Sequence, residues 1–265
     1  MIARIGEIVM NFEINGMGQP TTMISGIASD ISSWSLQVPS FALNVMTICL
    51  DNRGSGKTDA PDRPYSVEMM ANDTVKLLDL IGVEASNLVG FGMGGRIALD
   101  MAIRHPSKVK SLVLCSTAAK ATPSERELLQ TTKEVIISGA ERAELARKET
   151  ILTLGPRFFR DERLTEGAVR LRLARMRGTP DQGFLRQIDA ALDYDATARL
   201  QEVRCPALVV AGSHDRLVPI EHQREMAERI PGSSFLALES AHMVHTESAK
   251  EFNEGVLGFL MEKDA

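Results

Sequence analysis

Six short, nearly continuous apolar runs recur along the sequence: Thr22–Ile24, Val45–Leu50, Asn87–Gly90, Val109–Cys115, Ala207–Ala211 and Ser234–Leu238. A strand that is apolar at consecutive positions must bury both of its faces, and a parallel sheet covered by helices on each side does that. Segments of helical period lie between the runs. After Ser66, a side chain suited to an N-cap, Met70, Thr74, Leu77, Leu78 and Ile81 fall on one face, and Gly82 ends the segment. Gly94–Arg104 reads as a helix stopped at His105-Pro106, and Phe252, Val256, Phe259 and Leu260 repeat at i, i+4, i+7 and i+8. Glu7–Asn15, ahead of Gly16-Met17-Gly18, reads as an antiparallel edge strand ending in a turn. This alternation predicts an α/β fold with a doubly wound, mostly parallel central sheet and helices on both faces.

One segment breaks the rhythm. From about 121 to 198 no strand pattern is found. The stretch is helix-like, interrupted by Gly139, Gly155-Pro156, Gly178, Pro180 and Gly183. The expectation is a helical cap over residues 121–198, inserted in a core made of 1–120 and 199–265. Ten arginines fall between positions 142 and 186 of it: Arg142, Arg147, Arg157, Arg160, Arg163, Arg170, Arg172, Arg175, Arg177 and Arg186. They admit two readings. Some could grip a carboxylate or phosphate with paired N–H groups. The plainer reading is solvated helix faces paired with Glu141, Glu144, Glu149, Asp161, Glu162 and Glu166, leaving one or two arginines for a pocket.

Bulk properties narrow the partners. A net charge of −5 over 265 residues disfavours nucleic acid, which needs a basic face, and leaves a small, even carboxylate-bearing, substrate open. Cys49, Cys115 and Cys205 lie in or beside apolar runs without metal or redox spacing, as buried free thiols do. Met1–Gly6 carries no apolar targeting core, and no run reaches the ~18–20 apolar residues of a membrane span. A cytoplasmic protein is expected, with no membrane contact and an oligomeric state left open.

The chemistry centres on Val89-Gly90-Phe91-Gly92-Met93-Gly94-Gly95, which follows a strand and opens a helix. Gly90, Gly92 and Gly95 also satisfy G-x-G-x-x-G, the dinucleotide fingerprint. That motif wants an acid about 20 residues on, ending the next strand, and here the next strand ends in Leu114-Cys115-Ser116. Further on, Ala207–Ala211 runs into Gly212-Ser213-His214-Asp215-Arg216-Leu217-Val218-Pro219. The last apolar run is followed by Glu239-Ser240-Ala241-His242-Met243-Val244-His245. Ser25-Gly26-Ile27 follows the first parallel strand, with Trp34 beyond it, and Asp51-Asn52-Arg53-Gly54-Ser55-Gly56-Lys57-Thr58-Asp59 follows the second.

These five stretches, in this order, resemble the α/β-hydrolase superfamily over about 190 residues. The small capped bacterial lactonases, esterases and carbon–carbon hydrolases, of the 3-oxoadipate enol-lactonase type, are the nearest pattern. The resemblance implies a G-x-S-x-G nucleophile elbow at 90–94, with Gly92 in the nucleophile position. It implies Asp215 as triad acid and His242 as general base, with His245 the runner-up and His214 adjacent but out of register. The backbone N–H groups of Ile27 and Met93 would form the oxyanion hole, and Ser25, Gly26 and Phe91 would contact substrate. Ser25 departs from the family's His, and Thr58 from its Ser. No metal, nucleotide, flavin or other cofactor is expected.

Gly92 closes the acyl-enzyme route, because it has no side chain to form one. Three readings follow. His242, held by Asp215, could activate a water against an ester, lactone or related carbonyl; a cofactor-free lyase or oxygenase using the same pair belongs with this reading. A native serine could have been replaced by design in an otherwise intact Ser-His-Asp hydrolase. Or the chain could bind a ligand without turning it over.

Overall fold

A computed structural model describes residues 1–262. The strands are β1 (Ile2–Ile5), β2 (Ile8–Asn15), β3 (Pro20–Ile24), β4 (Met46–Leu50), β5 (Ser86–Phe91), β6 (Val109–Cys115), β7 (Ala207–Gly212) and β8 (Ser234–Leu238). They form one sheet in the order β1-β2-β4-β3-β5-β6-β7-β8. β1 and β2 pair antiparallel at one edge and the other six strands run parallel. The expected edge strand is therefore two strands. β1 escapes sequence patterning because it is four residues long and Ile2 is exposed.

The continuous apolar runs divide their side chains between the two faces with period two. Ile24, Ile48, Leu88, Leu112, Leu114 and Val209 join one buried cluster, whereas Met23, Cys49, Val89, Val113, Cys115 and Val210 join the other. The first face is covered by α2 (Val67–Leu80) and α3 (Met93–Arg104), the second by Trp34, by Phe41 of α1 (Val38–Phe41) and by the terminal helix. Ser66 caps α2, its hydroxyl accepting from the Met69 N–H at 3.0 Å.

Between β6 and β7 lie α4 (Pro123–Ser138), α5 (Ala143–Thr153), α6 (Glu162–Gly178) and α7 (Asp181–Asp193), with no strand among them. α4 opens with a reciprocal capping box: the Glu125 N–H donates to Thr122 Oγ1, and the Glu125 carboxylate accepts from the Thr122 N–H. The insertion is not a separate core. Leu129, Leu145, Val169, Met176, Phe184 and Ile188 belong to the same buried cluster as the sheet's first face. After β7 and β8 come α8 (Ile220–Arg229), the single turn α9 (Val244–Glu247) and α10 (Ala249–Glu262). Cys49 and Cys115 are buried free thiols, but Cys205 is only partly buried. No helix among the described residues is long and apolar enough to cross a membrane.

The chain winds from β3 to β4 on one side, then places β5 on β3's other side. The loops after β3 and β5 consequently diverge, and ligands in open α/β sheets bind in the crevice this leaves at the strands' carboxyl ends.

Candidate active site

The turn from β5 into α3 lies at that crevice. The Gly92 N–H continues the sheet ladder to the Cys115 carbonyl at 3.0 Å, and its own carbonyl accepts from Thr117 Oγ1 at 2.7 Å. One residue later the helix begins. Gly92 spans this reversal at φ +55°, ψ −119°, a conformation that side-chain-bearing residues hold only under strain. Its glycine neighbours have a different cause. A Cβ at Gly94 would lie 2.0 Å from the Ile24 carbonyl oxygen, and one at Gly90 would lie 2.4 Å from the Gly94 carbonyl oxygen. The helix must touch the strands there. At Gly92 the nearest atom to an added Cβ is the Gly26 Cα, 3.9 Å away, so space does not require glycine at that position.

Asp215 and His242 meet across the ends of β7 and β8. His242 Nδ1 donates to Asp215 Oδ2 at 3.0 Å. The Leu217 and Val218 N–H groups donate to Asp215 Oδ1, each at 2.9 Å, and Gln223 Nε2 approaches Oδ2 at 3.4 Å. Three donors besides the imidazole thus fix a buried carboxylate. The loop carrying His242 is held in turn by Glu247, whose carboxylate accepts the Ala241 N–H at 3.0 Å and the Gly155 N–H at 2.8 Å. Burial raises the pKa of Glu247, and these two amide donors oppose the rise.

The other histidines are placed differently. His245 is fully buried behind Phe91, ring centroids 4.5 Å apart, and against Trp34 at 5.1 Å. Neither ring nitrogen has a hydrogen-bond partner, and burial, with the charges of His242 and Arg175, holds its pKa down to about 3. It does not touch Asp215. His214 is on the surface, its Nε2 2.5 Å from Glu239 Oε1.

A cavity of about 90 Å³ joins these pieces. Gly26, Ile27, Phe91, Gly92, Met93 and His242 line its floor side, while Glu125, Thr132, Glu149, Arg172, Arg175 and Met176 come from the inserted helices. Met93 is the first residue of α3, so its N–H has no carbonyl one turn back to receive it. Ser25, expected to touch substrate, does not line the cavity. It is fully buried, its hydroxyl 2.9 Å from Ser33 Oγ and 3.2 Å from the Asp30 carbonyl, so it braces the loop instead. That loop is also tied to α7, since the Ala28 N–H donates to Gln187 Oε1 at 2.8 Å and Gln187 Nε2 donates to the Arg53 carbonyl at 2.7 Å. Sequence patterning does not single out Gln187, and it places Glu149 on a solvated helix face, whereas Glu149 is buried against the cavity. Both sit on amphipathic helices, and only the docking of those helices brings them to the site.

The model of a protein family described as "alpha/beta hydrolase fold" matches residues 23–249. The chain belongs to the α/β hydrolase fold family. A relative from Rhizobium rhizogenes strain K84, named "Putative carbamate hydrolase RutD", is 30% identical over 95% of this chain and 97% of its own. The 3-oxoadipate enol-lactonase 2 of Acinetobacter baylyi is 24% identical, covering 94% and 92% of the two chains. Among solved structures, the enol-lactonase from Burkholderia xenovorans LB400 superposes on this α/β hydrolase with a TM-score of 0.91, at 24% identity, over 98% of this chain and all of that one.

Proposed function

We propose that this α/β hydrolase cleaves a small ester, lactone or carbamate with a water molecule as the attacking group, and that His242 is its general base. The observation carrying this reading is the combination at the crevice of an Asp215-braced imidazole with open space at Gly92, where a side chain would meet nothing closer than 3.9 Å. The Asp215 carboxylate takes the Nδ1 proton of His242. The ring's Nε2, which has no hydrogen-bond partner among the described residues, is left as the basic nitrogen. Water gives its proton to Nε2 as its oxygen bonds to the carbonyl carbon. The carbonyl electrons move onto oxygen, and the N–H groups of Ile27 and Met93 receive the oxyanion. When the tetrahedral adduct collapses, the leaving oxygen or nitrogen recovers the proton from the imidazolium. No covalent enzyme intermediate forms, in keeping with a glycine at position 92. Residues 121–198 act as the cap that narrows access to this crevice.

The relatives' names favour carbonyl substrates of this kind, and the 90 Å³ cavity suits a molecule of few heavy atoms. The test is turnover of a panel of short esters, lactones and carbamates by the protein and its His242→Gln variant. The expected outcome is multiple turnover without an initial burst, falling roughly 10²–10⁴-fold in a folded His242→Gln. Undiminished activity in that variant, or no turnover of any panel member, overturns the reading.

A second reading has its own support. The room at Gly92 would accept a serine, which makes a latent Ser-His-Asp hydrolase reachable by one substitution.

A further inference from the structure

Four ionisable side chains enter the cavity from the inserted helices, and their pairing leaves one cation over. Glu125 is committed to the buried Arg96 of α3, 2.5 Å away. Glu149 is buried, its Oε1 accepting from Thr132 Oγ1 at 3.1 Å and its Oε2 3.5 Å from Arg172 Nη1. Burial raises the Glu149 pKa and Arg172 opposes the rise, and Arg172 is the guanidinium within salt-bridge distance of this carboxyl among the described residues. Arg175, one turn from Arg172 on α6, has no salt-bridge or hydrogen-bond partner among the described residues, and its buried Nε is unsatisfied. Burial, and then repulsion from Arg172, lowers its pKa; Asp30, the charge that opposes this, has its carboxylate engaged with Ser32.

Arg175 is half-buried, and burying an unpaired guanidinium costs free energy unless something anionic joins it. Its position says where that anion would lie. Arg172 Nη2 donates to Thr153 Oγ1 at 3.3 Å and lies 4.0 Å from Met243 Sδ, and Met243 directly follows His242. The pair therefore lines the same small cavity as the base and Gly92.

We propose that Arg172 and Arg175 form a carboxylate-binding subsite in the wall of this cavity, so that the substrate carries an acid group a short chain away from the carbonyl that is cleaved. The subsite rests on the hydrolytic reading for the identity of the cleaved bond, but its anion binding does not. Arg175 supplies the unpaired donors. Arg172, held by Glu149 and Thr153, supplies the second guanidinium at i−3. Two planar forks on one helix face suit a carboxylate, which takes two N–H donors per guanidinium.

The experiment has a binding arm and a turnover arm. Succinate and its neutral analogue succinamide are titrated into the protein and into Arg175→Gln and Arg175→Lys, with folding checked by circular dichroism. Mono-(4-nitrophenyl) succinate and 4-nitrophenyl butyrate are then compared as substrates. The expected result is binding of succinate but not succinamide, weakened roughly tenfold to a hundredfold in Arg175→Gln and partly kept in Arg175→Lys. The ratio of kcat/KM for the acid ester to that for the neutral ester falls by the same factor in Arg175→Gln, mainly through the KM of the acid ester. Succinate binding that depends on Arg175 without turnover of either ester supports the subsite and overturns the hydrolytic reading. Turnover of both esters with equal kcat/KM, and no succinate binding, overturns the subsite and leaves hydrolysis standing.

Discussion

Gly92 separates two demands that usually coincide in one residue. The backbone there is strained for any side chain, yet the volume beside it is open. Glycine relieves the strain and leaves room for water. Substitution by serine reverses the balance: the φ of +55° costs on the order of 1–3 kcal/mol, which a domain of this size can bear. It also puts a hydroxyl beside the N–H of Met93 and in the cavity His242 lines. Gly92→Ser is expected to raise hydrolysis of activated nitrophenyl esters at least tenfold over Gly92→Ala and to introduce an acyl-enzyme burst. Pre-steady-state absorbance measures both. A folded Gly92→Ser no faster than Gly92→Ala excludes a latent serine hydrolase. At this scale much of the candidate site was legible, because Gly92, Asp215 and His242 stand in the family's order beside strand ends. The choice between His242 and His245 rested on register alone. In the fold, His245 points its ring among Phe91, Trp34 and Phe252, which no local pattern encodes.

Elements were legible where their burial is simple. The runs that became β3 to β7 are buried on both faces at nearly every position, so they stand out from their surroundings, whereas β8 at the sheet's edge is only partly buried. β1 is short and half exposed, and its pairing with β2 depends on a turn rather than on its own composition. The arginines of the insertion show the limit most clearly. Ten of them share similar polar surroundings in sequence, and five, Arg142, Arg147, Arg172, Arg177 and Arg186, do pair with carboxylates. That Arg172 and Arg175 meet the cavity follows from the rotation of α6 against α5, a packing outcome. Close approach of elements also separates glycines that look alike in sequence. Gly94→Ala would drive a methyl into the Ile24 and Ser25 carbonyls, at 2.0 and 2.7 Å, and force α3 away from β3. It is expected to destabilise by about 3 kcal/mol. Gly258 lies within α10 with nothing inside 4 Å of an added Cβ, so Gly258→Ala is expected to stabilise by about 0.5–1 kcal/mol. Urea midpoints of the two variants would lie on opposite sides of the parent's, and shifts of like sign would contradict this account of the elbow.

The inserted helices and the sheet share one buried cluster, so the molecule is expected to unfold in a single transition whose pH dependence reflects every group that titrates differently once folded. His245 is the clearest of these. Its ordinary value is 6.5, and in the folded chain it is held down to about 3 by burial. Above pH 6.5 both states are neutral at this position and it has no effect on stability. As the pH falls below 6.5 the unfolded chain takes up a proton that the folded chain refuses, and stability is lost progressively until about pH 3. Between pH 8 and pH 5 this one residue removes about 2 kcal/mol. Glu149, Glu247 and Asp100 act in the other direction: burial raises each of their pKa values, so the folded chain holds their protons more firmly and gains stability as the pH falls through them. The wild-type curve alone therefore mixes opposing slopes, and the difference between two chains isolates the histidine. His245→Phe keeps an aromatic ring against Phe91 and Trp34 and removes two buried nitrogens that have no partner. His245→Leu guards against a poor fit of the larger ring. Urea unfolding at pH 8 and pH 5 is expected to show the parent losing about 2 kcal/mol more than either variant over that interval. Parallel losses in all three chains would mean that His245 takes up its proton in the folded state as readily as in the unfolded one, and that its enclosure behind Phe91 opens at mild acidity.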